Sequence, residues 1–424
     1  MSDNIAGGPR ISPWRILLAL VGGLVVGAIA ARIAPDRVIG VADAIAPVGQ
    51  LWLRALQMTI IPLVVALLFT GILSAVRAAR AGRLTGWSIG LFLIILWGGA
   101  TMAAFVTPAL LNAFPISAEA ARTLTASLGT NTNVGTVPTM SDFLIGIIPT
   151  NPVQAAATDA ILPLLIFTAI FALAVARLDP ARRDLIAQIF DAVGSAMLTV
   201  IGWVLALAPI GVAALAFVVA AHVGVEAIGI FLHYVLVVSA VGGVVFLAAY
   251  PVAMLVGGLP LGQFAKAILP PQAVALSTQS SLASLPAMLR SASALGVRAH
   301  NADVTLPLAV ALFRATGPAM NLAVCIYAAY LTHTPVTPVT LAIGVAIAAT
   351  TTLGSVSLPG SISFISACGP IAIGMGVPIE PLALLIAVEQ LPDLMRTLGN
   401  VTMDVAVTAS ADRLGGGDLV EGDG

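Results

Sequence analysis

Charged side chains are scarce in this sequence. Only 9% of the 424 residues are Asp, Glu, Lys or Arg, against about 25% in soluble proteins. The hydrophobic share is 59% and the mean hydropathy is +1.07, so the chain is predicted to be a polytopic membrane protein. The formal net charge of −1 provides no basic excess, which argues against nucleic acid as a partner.

Cysteine and histidine are also scarce, and their placement argues against an enzyme. Cys325 and Cys368 both lie in apolar segments, and no zinc spacing is present. No His-Glu-x-x-His sequence occurs, and none of the four histidines pairs by spacing with a serine of the broken segments described below. No catalytic residue, metal ligand or cofactor is therefore predicted.

The few charges that remain concentrate near the C-terminal end of the chain. At 3.6 residues per turn, five polar residues share one stripe of a helix. A charge in the middle of a bilayer costs roughly 2.5–3.5 kcal/mol. These side chains are therefore expected to meet partners in a protected site. They are Asp393, Arg396, Thr397, Asn400 and Asp404.

Two apolar segments, residues 265–296 and 338–377, are broken midway by small polar residues and proline. Each precedes a long helix with an intramembrane arginine, Arg314 after the first and Arg396 after the second. Irregular backbone at membrane depth survives only where protein or a cavity satisfies it. The paired breaks indicate a transporter with its binding site between inverted repeats, and the helix starts there offer N–H groups to anions.

The basic loops give an orientation. Counting crossings places residues 77–83, residues 177–183, Lys266, Arg290 and Arg298 on one side. The positive-inside rule assigns that side to the cytoplasm. We expect a multi-pass protein of the cell inner membrane with both termini in the cytoplasm.

Four motifs resemble those of the dicarboxylate/amino acid:cation symporter family, which includes the glutamate transporters. The most specific lies in the polar stripe and has the pattern Asp-x-x-Arg-Thr-x-x-Asn-Val-Thr-x-Asp. The others resemble the family's second-, fourth- and fifth-helix signatures. The four motifs are Asp393–Asp404, Gln57–Val64, Ile148–Pro152 and Ala208–Gly211.

The resemblance implies an all-α fold of eight transmembrane helices plus two re-entrant helical hairpins with inverted repeats. It also implies a homotrimer that works as an elevator and contacts membrane lipid. The implied division is scaffold helices 1 and 2 in 1–86, helix 3 of the transport domain in 87–110, scaffold helices 4 and 5 in 111–227, the remaining transport domain in 228–410, and a disordered tail in 411–424.

The substrate site is likewise implied by position. Arg396 would pair with a substrate side-chain carboxylate, and Asp393 would accept an amino group, with Asn400 and Thr397 completing the polar cage. Because a plain dicarboxylate has no use for Asp393, an acidic amino acid such as aspartate or glutamate is favoured. The hairpin tips would hold the main-chain carboxylate through backbone near Ser280, Ser281, Pro359 and Gly360.

One departure from the family pattern bears on ion coupling. The family's Asn-Met-Asp-Gly-Thr motif of helix 7, which supplies oxygen ligands to sodium, aligns with Arg314-Ala-Thr-Gly-Pro318. Ile95 and Leu96 align with a Thr-Ser pair on helix 3. We therefore hypothesise that the Arg314 guanidinium replaces bound sodium, with Asp404 as its partner, because arginine stays protonated at physiological pH. Arg314 and Arg396 then balance Asp393 and Asp404, so the empty site is predicted to be neutral.

Several alternatives remain open from the sequence. Glu389 or Asp404 could carry a proton, sodium could bind through backbone carbonyls near the second hairpin, or transport could be uniport. A sodium- or proton-coupled C4-dicarboxylate symporter is the second candidate function. An anion channel is a third class, although its usual rings of like charge are not evident here.

Overall fold

Every regular element in the described part of the chain is a helix. The computed structural model describes residues 13–79, 82–116, 145, 148–158, 160–223, 226–352 and 360–415. These residues contain no strand, so the all-α prediction is confirmed. Most of the predicted excursion between the third and fourth spans, and the tip of the second hairpin, lie outside the described residues.

In the described residues of the N-terminal half there are eight helices of 6 to 31 residues. The helix predicted to be the third span is longer than its predicted range of 87–110. The helices are α1 (Pro13–Ile33), α2 (Pro35–Gln57), α3 (Ile60–Ala79), α4 (Arg83–Ala113), α5 (Pro152–Ala157), α6 (Ile161–Val175), α7 (Pro180–Ala206) and α8 (Ala208–Val223).

The C-terminal half repeats one pattern twice. A pair of helices is followed by a helix that is itself interrupted. The elements are α9 (Glu226–Pro251) with a π-helical turn (Val252–Val256), the first pair α10 (Leu261–Thr278) and α11 (Ser281–Ala294), the interrupted helix α12 (Ala299–Leu312) and α13 (Gly317–Leu331), the second pair α14 (Pro338–Thr352) and α15 (Gly360–Gly374), and the interrupted helix α16 (Glu380–Leu385) and α17 (Gln390–Gly415).

Proline explains where both interrupted helices break. A proline ring clashes with the carbonyl four residues earlier and donates no hydrogen bond to it. Pro318 stands four residues after Arg314, and Pro392 stands four residues after Val388. The helix is lost at 313–316 in the first case and tightens into a turn at 386–389 in the second. Each break therefore carries one charged residue, Arg314 or Glu389.

The helices pack in two groups. Helix α1 packs along α8, α2 also contacts α8, and α3 packs on α6 and α7. Helix α4 packs mainly on α13, α14 and α17 and also contacts α3, and α17 contacts α9, α10, α11 and α12. At Gly23 and Gly27 an added Cβ would lie only 2.6 Å from carbonyl oxygens of α8, so the α1–α8 approach requires glycine.

The described helices have the length and hydropathy expected of a protein that crosses a membrane. Five stretches are long and apolar enough to do so on these two criteria. Shorter apolar helices accompany them, including both arms of the second hairpin. The five stretches are Arg37–Arg77, Arg83–Ala113, Pro180–Ala206, Gly229–Val256 and Ala299–Leu331.

The end of the last helix corrects one predicted boundary. We predicted a disordered tail from residue 411, but α17 stays helical to Gly415. Asp412 accepts hydrogen bonds from Arg298 Nε at 2.9 Å and Asn301 Nδ2 at 2.6 Å. These contacts fix the end of α17 against the start of α12, so residues 411–415 belong to the folded protein.

Candidate functional site

Arg396 lies at the centre of a buried ionic cluster on α17. Its Nη2 group donates to Glu389 Oε1, and its Nε lies 3.2 Å from Asp393 Oδ1. Its Nη1 group donates to Asn321 Oδ1 on α13 at 2.8 Å. Only 12% of the Arg396 side chain is exposed, so the guanidinium is held on three sides by protein oxygens.

Glu389 is buried beneath this arginine. Its side chain is 3% exposed, and its second oxygen, Oε2, accepts a 2.6 Å hydrogen bond from the Tyr234 hydroxyl of α9. The sequence pointed to Glu389 only as a possible coupling residue one turn before Asp393. Its contact with Arg396 was missed, as were Tyr234 and Asn321, which lie 155 and 75 residues from their partners.

Asn400 holds the break in the first interrupted helix. Its Oδ1 accepts from the Thr316 backbone N–H at 2.9 Å and from the Thr316 hydroxyl at 2.8 Å. The hydroxyl also lies 3.1 Å from the Arg396 carbonyl oxygen. The side-chain oxygen of Asn400 is therefore occupied by bonds within the protein. The Nδ2 group of Asn400 remains to donate to a ligand.

Thr397 is also placed on this face of α17. It is buried, and its hydroxyl donates to the Asp393 carbonyl at 3.0 Å within the same helix. The oxygen keeps acceptor capacity after making this bond. Asp393, Arg396, Thr397 and Asn400 are therefore brought together, while their roles toward a substrate remain predictions.

Arg314 and Asp404 interact electrostatically. The Arg314 charge acts on Arg396, Asp393 and Asp404. Asp404 is 0% exposed, and neither of its carboxylate oxygens has a hydrogen-bond partner among the described residues. The pairing of Arg314 with Asp404 therefore stays a prediction, supported by the electrostatic interaction between the two groups.

The geometry also revises the charge balance of the site. Counting Arg314 and Arg396 against Asp393 and Asp404 predicted a neutral cluster. Glu389 contacts Arg396 directly, so it belongs to the same cluster. Two guanidiniums then face three carboxyl groups, and full ionisation leaves one negative charge in excess.

The first hairpin tip lies beside the start of α17. Gln279 adopts a left-handed conformation with φ of 51° and pairs with Gln390 through their side-chain amides. Ser280 caps α11, because its hydroxyl oxygen accepts from the Ala283 N–H at 3.2 Å. Ser281 begins α11, so the N-terminal end of α11 lies at this tip.

The second hairpin tip is described only in part. Gly360 is the first described residue of α15. Pro359 lies outside the described residues, so the predicted contribution of this tip to a carboxylate site stays a prediction. Among the described residues, no group of three or more His, Cys, Asp or Glu side chains could hold a metal ion.

One serine has the spacing of a hydrolase motif but not its geometry. Ser88 is the central residue of a Gly-x-Ser-x-Gly sequence at 86–90. In hydrolases this serine sits on a strand-to-helix turn, whereas Ser88 is buried inside α4. Its hydroxyl donates to the Leu84 carbonyl at 2.9 Å and lies 3.4 Å from the Thr305 hydroxyl. Ser88 is therefore a packing residue, which agrees with a protein that is not an enzyme.

Comparison with known proteins finds transport proteins that align with almost the whole chain. A proton/glutamate-aspartate symporter of Escherichia coli (strain K12) is 24% identical over 396 residues, which cover 92% of this chain and 89% of that protein. A proton/sodium-glutamate symport protein of Geobacillus stearothermophilus is 27% identical, with 92% and 90% covered. A C4-dicarboxylate transport protein of Paracidovorax citrulli (strain AAC00-1) is 24% identical, with 91% and 84% covered.

The family model of the sodium:dicarboxylate symporters matches residues 13–414. That range includes both interrupted helices and every charged residue of the cluster around Arg396. Its members are transporters rather than enzymes, as the names of these relatives also indicate. The chain therefore belongs to the sodium:dicarboxylate symporter family.

Proposed function

We propose that this protein is a secondary transporter that carries acidic amino acids across the cell membrane. The observation that carries the proposal is the largely buried Arg396–Asp393 pair on α17, which contacts the first interrupted helix through Asn321. Arginine offers a planar fork that matches a carboxylate, and a neighbouring aspartate is an acceptor for an ammonium group. Together they suit a ligand that carries both charges.

The names of the relatives indicate two possible substrate classes for this protein. Some are glutamate or aspartate symporters, and others are C4-dicarboxylate transport proteins. Asp393 favours an amino acid, because it would repel a dicarboxylate that has no amino group to pair with it. C4-dicarboxylate transport is the second candidate, since Arg396 alone suffices to recognise a carboxylate.

We further propose that sodium does not drive this transport. The first break carries the Arg314 guanidinium, whose positive charge acts on Asp404 and Asp393. A metal cation placed near these carboxylates would be repelled by this fixed charge, and the buried Leu96 side chain offers it no oxygen ligand. The guanidinium is therefore a permanent cation that stays with the carrier.

The transport movement is proposed to be an elevator in a homotrimer. The packing supports this division, because α4 makes most of its contacts with the C-terminal helices and fewer with α3. The group formed by α4 and α9–α17 would be the mobile part. The group formed by α1–α3 and α6–α8 would be the scaffold.

Uptake into proteoliposomes tests the proposal. The purified protein should accumulate radiolabelled aspartate or glutamate in a saturable and stereoselective manner. Unlabelled succinate in excess measures the second candidate by competition. A non-saturable anion current without uptake would contradict a carrier and indicate a channel.

A further inference from the structure

We propose that Glu389 competes with the substrate for Arg396 and carries one proton with each substrate molecule. This inference rests on the proposed function and names its coupling ion. In the present structure Glu389 Oε1 accepts from Arg396 Nη2, and Asn321 Oδ1 accepts from Nη1. Both arms of the guanidinium fork are therefore engaged by the protein itself.

A substrate carboxylate can bind both arms of the fork only after Glu389 has left it. Bidentate pairing requires two parallel N–H donors of one guanidinium. Asn321 is neutral and can release its single bond, but Glu389 is an anion in direct competition with the ligand. The substrate thus replaces Glu389 as the carboxylate on Nη2.

The displaced Glu389 then remains buried without a cation in contact. Its one other partner among the described residues is the Tyr234 hydroxyl, which donates to Oε2 at 2.6 Å. An ionised carboxylate in such surroundings is costly. Glu389 therefore takes a proton from water on the side where the substrate entered. It returns that proton on the other side, when the substrate leaves and the pair with Arg396 forms again.

The groups around Glu389 are few, and they come from four elements. Tyr234 faces it from α9, and Cys368 of α15 interacts with it. Arg396 and Asp393 face it from α17. Asn321 of α13 reaches it only through Arg396.

Asp404 does not face Glu389, and its hydrogen-bonding state does not depend on Arg396. A proton bound at Asp404 would therefore stay on the carrier whether or not substrate is bound. Such a proton would produce no net coupling. Glu389 is the carboxyl group whose partner the substrate removes.

The charge balance predicts the electrical behaviour. Aspartate and glutamate carry one net negative charge, and one proton cancels it. The cluster then has the same charge in the empty and the loaded carrier. Uptake of these amino acids should depend on the pH gradient and not on the membrane potential.

Binding calorimetry in two buffers of different ionisation enthalpy tests the inference, with aspartate as ligand. The wild-type protein should take up about one proton per aspartate, so its affinity should fall about tenfold for each unit of pH above neutrality. Glu389→Gln should bind aspartate without proton uptake and independently of pH. Glu380→Gln is the matched control, because Glu380 makes no contact with Arg396, and it should behave as wild type.

Tyr234→Phe is the second variant. It removes the hydroxyl that favours the Glu389 anion, so the fall in affinity should move to higher pH. If Glu389→Gln does not fold, this shift decides the question. An unchanged pH profile in Tyr234→Phe would overturn the inference.

Other outcomes separate the two proposals. Proton uptake that persists in Glu389→Gln and disappears in Asp404→Asn would assign the proton to Asp404 and overturn the role of Glu389. Aspartate binding by wild type without proton uptake would overturn the inference and leave the proposed function intact. A protein that binds none of aspartate, glutamate and succinate would overturn both.

Discussion

Thr316 donates two hydrogen bonds to a single acceptor, Asn400 Oδ1, one from its backbone N–H and one from its hydroxyl. These bonds join the break beside Arg314 to the helix that carries Arg396. Because Thr316 is 0% exposed, no water can replace them. The position of the fixed cation therefore depends on this pair.

Removing the hydroxyl should loosen the break. We expect Thr316→Val to cost about 1–3 kcal/mol of stability, because a buried acceptor loses a donor while the side-chain volume is kept. Thermal unfolding in detergent measures this loss. Thr316→Ser keeps the hydroxyl and is the control, and equal losses in both variants would show that the methyl group matters instead.

Arg396→Lys should weaken aspartate binding by about 10- to 100-fold. A lysine ammonium lacks the planar fork, so it cannot hold Glu389, Asp393 and Asn321 in their present positions or accept a carboxylate in a bidentate manner. Equilibrium binding of labelled aspartate is the measurement. Affinity close to that of wild type would contradict a role for the guanidinium in recognition.

Asp393→Asn should separate the two substrate classes. The amide keeps an acceptor for Arg396 Nε but loses the charge that attracts an ammonium group. Aspartate affinity should fall by about 1.5–3 kcal/mol, while succinate affinity should stay the same or rise. Competition by unlabelled succinate, measured in both proteins, checks this, and a parallel loss for both ligands would argue against an ammonium site.

The end of α17 offers a test of the revised boundary. A protein truncated after Gly415 keeps the contacts of Asp412 with Arg298 and Asn301, and it should transport as the full chain does. Truncation after Ala411 removes those contacts and should lower thermal stability by about 1 kcal/mol, since the arginine is half exposed. Equal stability of the two truncated proteins would show that the contacts contribute nothing.

The polar stripe was predicted from a local rule, and a local rule also accounts for the breaks in the two helices, which were expected to be continuous. Pro318 and Pro392 each remove a helical hydrogen bond four residues earlier, and a 3.6-residue period places Asp393, Arg396 and Asn400 on one face. Both are short-range properties of the chain. The same reasoning failed at the tail, because the contacts that extend the helix to Gly415 come from α12.

The partners of the charged residues could not be predicted. Tyr234 and Asn321 are ordinary residues of apolar helices, and only packing brings them to Glu389 and Arg396. Glu389 precedes Arg396 by seven residues, so a helical wheel places both on one face, but about two turns apart, and does not show that the two side chains meet. The neutral charge balance predicted from four residues failed for this reason.

The charge at position 314 can be tested apart from the shape of the side chain. Arg314→Met should abolish uptake in sodium-free medium, since Asp404 and Asp393 lose the only cation besides Arg396 in their described surroundings. Arg314→Lys keeps the charge and should retain a substantial part of the uptake. Equal uptake by the two variants would indicate that the position serves packing.

The most direct test of the fixed cation is uptake of radiolabelled aspartate by the wild-type protein with choline replacing sodium on both sides of the membrane. The guanidinium of Arg314 cannot dissociate, so the initial rate in choline should match the rate in sodium at the same pH. A rate that collapses without sodium would show that a dissolved metal ion is required and that Arg314 does not take its place.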